Sequence, residues 1–231
     1  MGILYIVATP IGNLSDMTFR AIEMLKDADI IVCEDTRHSL KLLNHFEIRK
    51  PLLSCHGYNE ARTAERAVRE LDAGKTLCYV SDAGTPGISD PGTILVRRVR
   101  EAGHAVIPVP GASALAAIVS IGGFGGKTIV FEGFLSPKAG RRRTRLGELL
   151  ALNTPFVLYE SPFRILKLLE ELSEQAPKRR ILVGREMTKV HEEYLEDTAE
   201  RVLALLSSRN EQRGEFAVFV AAGDDVAAES C

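Results

Sequence analysis

The sequence predicts an α/β protein with two α/β lobes, and two observations lead to this prediction. Short apolar runs rich in β-forming residues alternate with amphipathic segments of helical length, as in strands separated by helices. Segments of glycine, proline and small residues follow several of the apolar runs, where open parallel sheets bind ligands. We therefore expect a ligand site at the carboxyl ends of the strands, in a cleft between the lobes.

The first lobe is predicted from a regular alternation of strand and helix. It opens with the apolar run Ile3-Leu-Tyr-Ile-Val-Ala8, a break at Thr9-Pro-Ile-Gly-Asn13, and an amphipathic segment from Thr18 to Lys26. The same pattern then recurs. Strands are predicted near Ile3, Ile30, Leu52, Leu77 and Val106, and helices near Arg20, Leu40, Ala64, Leu95 and Ala116.

A glycine-rich segment is predicted to separate the lobes. Residues 1–121 form the N-terminal lobe, the run Gly122-Gly-Phe-Gly-Gly126 and Lys127 form a linker, and residues 128–231 form the C-terminal lobe. The second half alternates less regularly. Its strands are predicted at Thr128–Phe131 and near Phe156, Ile181 and Phe216, and its helices near Leu146, Leu166 and Leu203.

The stretch Val80-Ser-Asp-Ala-Gly-Thr-Pro-Gly-Ile-Ser-Asp-Pro-Gly92 is the strongest candidate for a binding loop. It lies between a predicted buried strand, Thr76–Val80, and a predicted helix from Thr93. Glycines let the backbone approach a ligand closely and prolines fix the turn, while Asp82 and Asp90 supply carboxylates. Such loops also occur for purely structural reasons.

Composition and charge argue against a nucleic-acid-binding surface over the whole protein, a metal site and a membrane span. The net charge of -2 does not indicate nucleic-acid binding by the whole surface, so any such contact is local. The four cysteines form no C-x-x-C pair, and no histidine has ligand spacing to them, so no metal site is expected. The uncharged stretch 105–126 is broken by proline and glycine and is not read as a membrane span, and no secretion signal is visible; we expect a cytoplasmic protein.

A basic run indicates a local phosphate-binding surface. In Lys138-Ala-Gly-Arg-Arg-Arg-Thr-Arg145 five of eight residues are basic, and they stand at a predicted helix start, where cations oppose the helix dipole. A charge run of this kind is more often just a solvated face. The predicted RNA-binding residues are Lys138, Arg141, Arg142, Arg143, Arg145 and Arg164.

The order of the motifs resembles one known family. The sequence has no G-x-G-x-x-G and no G-x-x-x-x-G-K-[ST], which disfavours a dehydrogenase or a P-loop ATPase. Its motifs instead resemble those of the ribosomal RNA small subunit methyltransferase I group of tetrapyrrole methylases. They are Ala8-Thr-Pro-Ile-Gly-Asn13, Glu34-Asp-Thr-Arg37, Ser81-Asp-Ala-Gly-Thr-Pro86, Pro110-Gly-Ala-Ser113, Glu132-Gly-Phe-Leu-Ser-Pro137, Tyr159-Glu-Ser-Pro162 and Gly184-Arg-Glu-Met-Thr-Lys189.

The resemblance implies a cofactor, a substrate and a set of binding residues. It implies S-adenosylmethionine as the methyl donor, the ribose 2'-hydroxyl of a cytidine in small-subunit (16S) ribosomal RNA of the 30S subunit as the acceptor, and a homodimer. The residues implied to contact the cofactor are Pro10, Asp82, Gly84, Thr85, Ser113, Ala114, Tyr159, Glu160 and Met187.

A hydroxyl acceptor is a very weak acid, so a general base would assist the transfer. Glu60 and Asp35 follow predicted strands and are the candidates, although either could instead cap a helix. Two other functions stay open: methylation of a tetrapyrrole or precorrin-type small molecule, since arginines also pair with carboxylates, and a non-catalytic ribosome-binding module.

Overall fold

The computed structural model describes residues 2–223, which form two units, the first ending at Ser113 and the second beginning at Ala114. This boundary differs from the predicted linker at 122–127. The glycine run packs inside the second unit, because Gly122 lies against Phe219 so closely that a Cβ atom there would be 2.5 Å from the ring. The rings of Phe124 and Phe219 also stack, with centroids 4.7 Å apart.

The first unit is a five-stranded, fully parallel sheet with order β3-β2-β4-β1-β5. Its short strands are β-branched and buried, as in Ile30-Ile-Val-Cys33, which is typical of parallel sheets covered on both faces. The elements are β1 Ile3–Val7, α1 Phe19–Asp27, β2 Ile30–Cys33, α2 Thr36–His45, β3 Leu52–Ser54, α3 Glu60–Asp72, β4 Thr76–Val80, α4 Thr93–Glu101 and β5 Ala105–Val109.

Helices cover both faces of this sheet, as the alternation of side chains along each strand requires. Leu77 and Tyr79 of β4 point into the core beneath α3 and α4, together with Leu95 of α4. Cys78 and Val80 point into the opposite core beneath α1 and α2. Because all five strands are parallel, their carboxyl ends meet at one edge of the sheet, where the loops that follow them lie side by side.

The second unit contains a mixed sheet with order β6-β7-β10-β8-β9, in which β6 and β7 are parallel and the other pairs antiparallel. The strand Glu193–Thr198 was not predicted, because its polar sequence and half-buried side chains are those of an edge strand. The elements are α5 Ala114–Ser120, β6 Val130–Phe134, α6 Ala139–Ala151, β7 Phe156–Glu160, α7 Ile165–Gln175, β8 Arg180–Arg185, β9 Glu193–Thr198, α8 Ala199–Ser207 and β10 Phe216–Val220.

The structure also bears on the expectations about a membrane span and about the cysteines. Within residues 2–223 no helix combines the length and apolarity needed to cross a bilayer. Cys33, Cys55 and Cys78 are buried free thiols, and burial raises the pKa of Cys55 and Cys78 to about 12. Cys231 lies outside the described residues.

Candidate active site

Three loops meet at the carboxyl edge of the first unit, after β1, β4 and β5. Thr9 and Gly84 form an antiparallel bridge in which each N–H donates to the other carbonyl, at 2.9 and 3.0 Å. Thr85 Oγ1 donates to Ala112 O at 3.0 Å and so ties in the third loop. Gly84 has φ +77, and a Cβ there would meet Ile11 at 3.2 Å. The bridge thus requires a residue without a side chain at position 84.

The predicted cofactor residues of the first unit all lie on these loops. Pro10 and Gly84 are buried, whereas Asp82, Thr85 and Ser113 are half-buried. One carboxylate oxygen of Asp82, Oδ1, accepts the backbone N–H of Asp35 at 3.0 Å. Asp82 therefore also joins the loop after β4 to the loop after β2.

The second half of the loop after β4 is held in an unusual conformation. Ser89 has φ 67, a left-handed value that is uncommon for a residue with a side chain, and Gly87 and Gly92 have φ 81 and 126. Tyr79 donates its hydroxyl hydrogen to Pro91 O at 2.7 Å. Such backbone strain is concentrated at functional sites, and here it fixes the position of Asp90 between Ser89 and Pro91.

Carboxylates from two loops influence one another at this edge. Burial, together with the charges of Glu34 and Asp82, raises the pKa of Asp90 to about 6, although a hydrogen bond from Ser81 acts in the opposite direction. Burial and the charge of Asp82 also raise the pKa of Glu34. Asp90 therefore has a proton affinity close to that required of a general base near neutral pH.

No group of three or more histidine, cysteine, aspartate or glutamate side chains within 2–223 is arranged to hold a metal ion. The carboxylates of Glu34, Asp82 and Asp90 are suited to proton transfer and hydrogen bonding.

Glu60 has a structural role that argues against the predicted catalytic one. Its side chain is buried, and Oε1 accepts the backbone N–H groups of Gly92, Ile94 and Leu95 at 2.9, 2.7 and 3.2 Å. These are donors that the first turn of α4 cannot satisfy within the helix, and Gly92 has no side chain with which to cap it. We therefore reassign Glu60 from candidate base to cap of α4.

Asp35 is also poorly suited to be a base. Its Oδ1 caps α2 by accepting the N–H of Arg37 at 2.8 Å, and both its oxygens accept from the Arg37 guanidinium, at 3.3 and 3.0 Å. These hydrogen bonds lower the pKa of Asp35 to about 2. The capping alternative for Asp35 matches the observed contacts, and a carboxylate of this acidity has little affinity for a proton at neutral pH.

Replacing Glu60 by alanine is expected to lower the free energy of unfolding by about 3 kcal/mol, because three N–H groups lose a charged acceptor. Glu60→Gln retains an acceptor oxygen and is expected to lose less. Urea denaturation measures both. A wild-type stability for Glu60→Ala combined with loss of methyl transfer would restore the catalytic assignment.

Among the predicted cofactor residues of the second unit, Tyr159 and Glu160 end β7 and Met187 follows β8. Tyr159 packs between the rings of Phe131 and Phe134, with centroids at 5.0 and 5.8 Å. Met187 is buried against Gly184, where a Cβ would lie 2.6 Å from its sulfur. Ala114, the first residue of α5, is half-buried.

Glu160 is the most informative of these side chains. It is buried, its Oε1 accepts the N–H of Ser161 at 2.7 Å, and Arg164 Nε lies 2.7 Å from the same oxygen. Its Oε2 is buried with no hydrogen-bond partner within the described chain. A buried carboxylate oxygen without a donor is costly, so this atom is an open acceptor for a ligand.

The predicted RNA-binding residues around α6 are mostly engaged with acids of their own unit. Arg143 pairs with Glu174, Arg145 with Glu132 and Glu148, and Arg164 with Glu160. Lys138 and Arg141 are exposed and have no ion pair within 2–223. The basic run is thus largely neutralised, which its sequence alone did not indicate.

The position of Arg142 argues against the predicted RNA contact. Its side chain is 5% exposed, and it donates to Glu171 of α7 through Nε and Nη2 at 2.8 and 2.6 Å. A buried bidentate pair leaves no donor directed to solvent for a phosphate. Arg142 instead joins α6 to α7.

Comparisons with known proteins agree with the motif order. The family of Tetrapyrrole (Corrin/Porphyrin) Methylases matches residues 3–203. A protein of Borrelia garinii subsp. bavariensis named ribosomal RNA small subunit methyltransferase I is 44% identical over 218 residues, 94% of this chain and 97% of that protein. A Synechocystis protein of the same name is 46% identical over 222 residues, 96% of this chain and 79% of that protein.

Solved structures show the same fold at low identity. A diphthine synthase superposes with a TM-score of 0.73 at 12% identity and covers 96% of this chain and 90% of its own. A uroporphyrin-III C-methyltransferase from Thermus thermophilus, complexed with S-adenosyl homocysteine, superposes with a TM-score of 0.64 at 16% identity and covers 95% of this chain and 97% of its own.

Proposed function

Because the chain belongs to the tetrapyrrole methylase family, and within it to the ribosomal RNA small subunit methyltransferase I group, we propose that it methylates a cytidine of small-subunit ribosomal RNA at the ribose 2'-hydroxyl, with S-adenosylmethionine as the methyl donor. The observation that carries the proposal is the carboxyl edge of the first sheet. There, the backbone at Gly84, which a ligand can approach closely, lies in the same loop as Asp90, whose pKa is about 6.

The described residues fit this cofactor in two respects. The Thr9–Gly84 bridge leaves an edge of backbone without bulky side chains, which suits close contact with a nucleoside. The open Oε2 of Glu160 is an acceptor for a donor group such as the cofactor's ammonium. The residues that we assign to cofactor contact are Pro10, Asp82, Gly84, Thr85 and Ser113 of the first unit and Ala114, Tyr159, Glu160 and Met187 of the second. When bound, S-adenosylmethionine supplies an electrophilic methyl group on a sulfonium.

Asp90 is the group that we assign to proton removal. With the cofactor bound, the Asp90 carboxylate would accept the proton of the acceptor hydroxyl as the methyl group passes from sulfur to that oxygen, and the electron pair of the broken carbon–sulfur bond would stay on sulfur. Glu34 and Asp82 keep the proton affinity of Asp90 high, because a second negative charge nearby favours its protonated form. For the displacement at the methyl carbon, the protein needs otherwise only to align donor and acceptor and to exclude water.

The single-turnover rate is expected to rise with pH through about 6 and then level off. Asp90 accepts a proton only when ionised, and its pKa is raised to about 6, so below this pH the rate falls about tenfold per unit. The groups that bear on it are Glu34, Asp82 and the Ser81 hydroxyl. Rapid-quench assays from pH 5 to pH 8 measure this, and a flat profile would exclude Asp90 as the base.

The proposed reaction is tested by transfer of a radiolabelled methyl group to small ribosomal subunits that lack the modification, with deproteinised ribosomal RNA in parallel. Label recovered as a 2'-O-methylated cytidine supports the proposal, and label on a base contradicts the ribose assignment. Cofactor binding without label on any RNA would favour the tetrapyrrole-type alternative if a precorrin accepts methyl groups, and the non-catalytic module if nothing does.

We also propose that the protein acts as a homodimer in the cytoplasm, where ribosomal RNA is found. Support for an association comes from β5, an edge strand whose Ile107 is 39% exposed, because sheet edges of this kind are usually covered. Sedimentation equilibrium tests the dimer, and a monomer at micromolar concentration would contradict it.

A further inference from the structure

A cavity of about 500 Å³ lies in the first unit beside α4. Ile6 of β1, Tyr79 of β4 and Val96 of α4 line it, with Pro86 and Gly92 from the loop after β4. Most of these side chains are apolar, and the volume is that of a site for a small ligand or one nucleotide. The sequence did not indicate this cavity, because its lining comes from three separate segments.

The guanidinium groups of Arg97 and Arg100 also line the cavity, together with the carboxylate of Glu101. Arg97 and Arg100 of α4 are exposed, and the nearest acid to Arg97 is Glu101, at 3.9 Å from Nε. Glu101 lies closer to Arg98, at 3.1 Å, and no acid of residues 2–223 lies within 4.0 Å of Arg100. Cations in the last turn stabilise a helix in any protein. That effect does not account for the apolar cavity beside them.

The pairing of arginines in the second unit leaves few cations there to bind RNA, so Arg97 and Arg100 of the first unit become more important for RNA binding. The arginines predicted to bind RNA there are largely neutralised, since Arg142, Arg143, Arg145 and Arg164 all pair with glutamates. An RNA substrate needs cations that are free to release counterions from its phosphates. Arg97 and Arg100 meet this requirement better than most of the basic run.

We propose that this cavity binds one nucleotide of the RNA substrate, other than the nucleotide that is methylated. Its base contacts the partly exposed apolar side chains of Ile6 and Val96, and its phosphates contact Arg97 and Arg100. The combination of a flat apolar group with an adjacent anion matches a nucleotide of an unpaired strand, whose bases are free to leave the stack. This inference rests on the proposed function, because RNA is the proposed substrate.

The loop after β4 connects this nucleotide to the chemistry. Pro86 and Gly92 line the cavity, and Asp90 lies between them in the same loop, which Tyr79 holds through Pro91. A nucleotide in the cavity therefore contacts the loop that carries the proposed base. We expect a nucleotide bound in the cavity to hold Asp90 in position as well as to raise the affinity for RNA.

The charge half of the inference is tested with Arg97→Glu/Arg100→Glu and the control Arg98→Glu. Arg98 is on the same helix but does not line the cavity. We expect the double variant to raise the Kd for deproteinised small-subunit RNA by at least about tenfold, and the control by much less. Arg97→Ala/Arg100→Ala is expected to lower the salt dependence of log K by about 2. Equal effects of the double variant and the control would overturn the proposal.

The cavity half is tested with Val96→Trp, which fills the space without changing charge. We expect it to weaken RNA binding and raise KM for RNA while cofactor binding and thermal stability stay at wild-type values. Photocrosslinking of bound RNA, read by mass spectrometry, is expected to label the peptides around Ile6 and Val96 in the wild type only. An unchanged KM for Val96→Trp would overturn the nucleotide assignment.

The same assays separate this inference from the proposed function. If the wild type methylates RNA and all cavity variants do so equally well, the cavity proposal fails and the methyltransferase assignment stands. If the wild type transfers no methyl group to RNA but binds it, and the cavity variants lose that binding, the proposed reaction fails and the cavity remains an RNA site.

Discussion

Asp90→Asn is expected to reduce the single-turnover rate of methyl transfer by about 10² to 10⁴, the range observed when a general base is removed. The amide has nearly the shape of the carboxylate but has little affinity for a proton. The loop should therefore keep its conformation, since Tyr79 still donates to Pro91 O. Isothermal titration with S-adenosylmethionine is expected to give a wild-type Kd, which would show that the loss lies in the chemical step.

Glu34→Gln provides the matched comparison. Glu34 raises the pKa of Asp90 through its charge, so removal of that charge lowers the pKa. The pH–rate profile should shift to lower pH, with a much smaller loss of rate at pH 8 than in Asp90→Asn. A large loss in Glu34→Gln with a wild-type rate in Asp90→Asn would transfer the role of base to Glu34.

Local features of the fold could be predicted from the sequence, because they depend on neighbouring residues. The run Ile30-Ile-Val-Cys33 is a buried parallel strand, as its composition indicates, and the segment from Thr93 is a helix. The two α/β sheets were expected and are confirmed. The edge strand Glu193–Thr198 was missed, because a half-exposed strand lacks the apolar run that identifies the others.

The candidate site was less predictable, because it depends on pairs that are distant in sequence. Glu60 follows a strand as a catalytic acid would, yet its partners begin at Gly92, 32 residues later. Asp90 was visible as a loop carboxylate, but its raised pKa comes first from burial in the folded loop and then from the charge of Glu34 on another loop. No periodicity or motif reports which helix ends and loops will meet.

The contact of Arg142 could not be predicted from the sequence either, and its loss is expected to have a large effect on stability. Its sequence neighbours are basic, and its partner Glu171 is 29 residues away on α7. Removing one member of a buried ion pair leaves an uncompensated charge in the interior. Arg142→Ala is therefore expected to lower the free energy of unfolding by about 3 kcal/mol, measured by urea denaturation, while RNA affinity of the folded protein stays unchanged.

The double variant Arg142→Met/Glu171→Leu distinguishes a charge effect from a packing effect. Replacing both members with apolar side chains removes the unpaired charge, so much of the stability lost in either single variant should return. Arg143→Ala is the exposed control, because its pair with Glu174 is solvated on both sides and should be worth less than about 1 kcal/mol. If Arg142→Ala kept wild-type stability and weakened RNA binding, Arg142 would have to reach a phosphate in the complex. The ion pair with Glu171 would then open on binding, and the basic run would be an RNA surface after all.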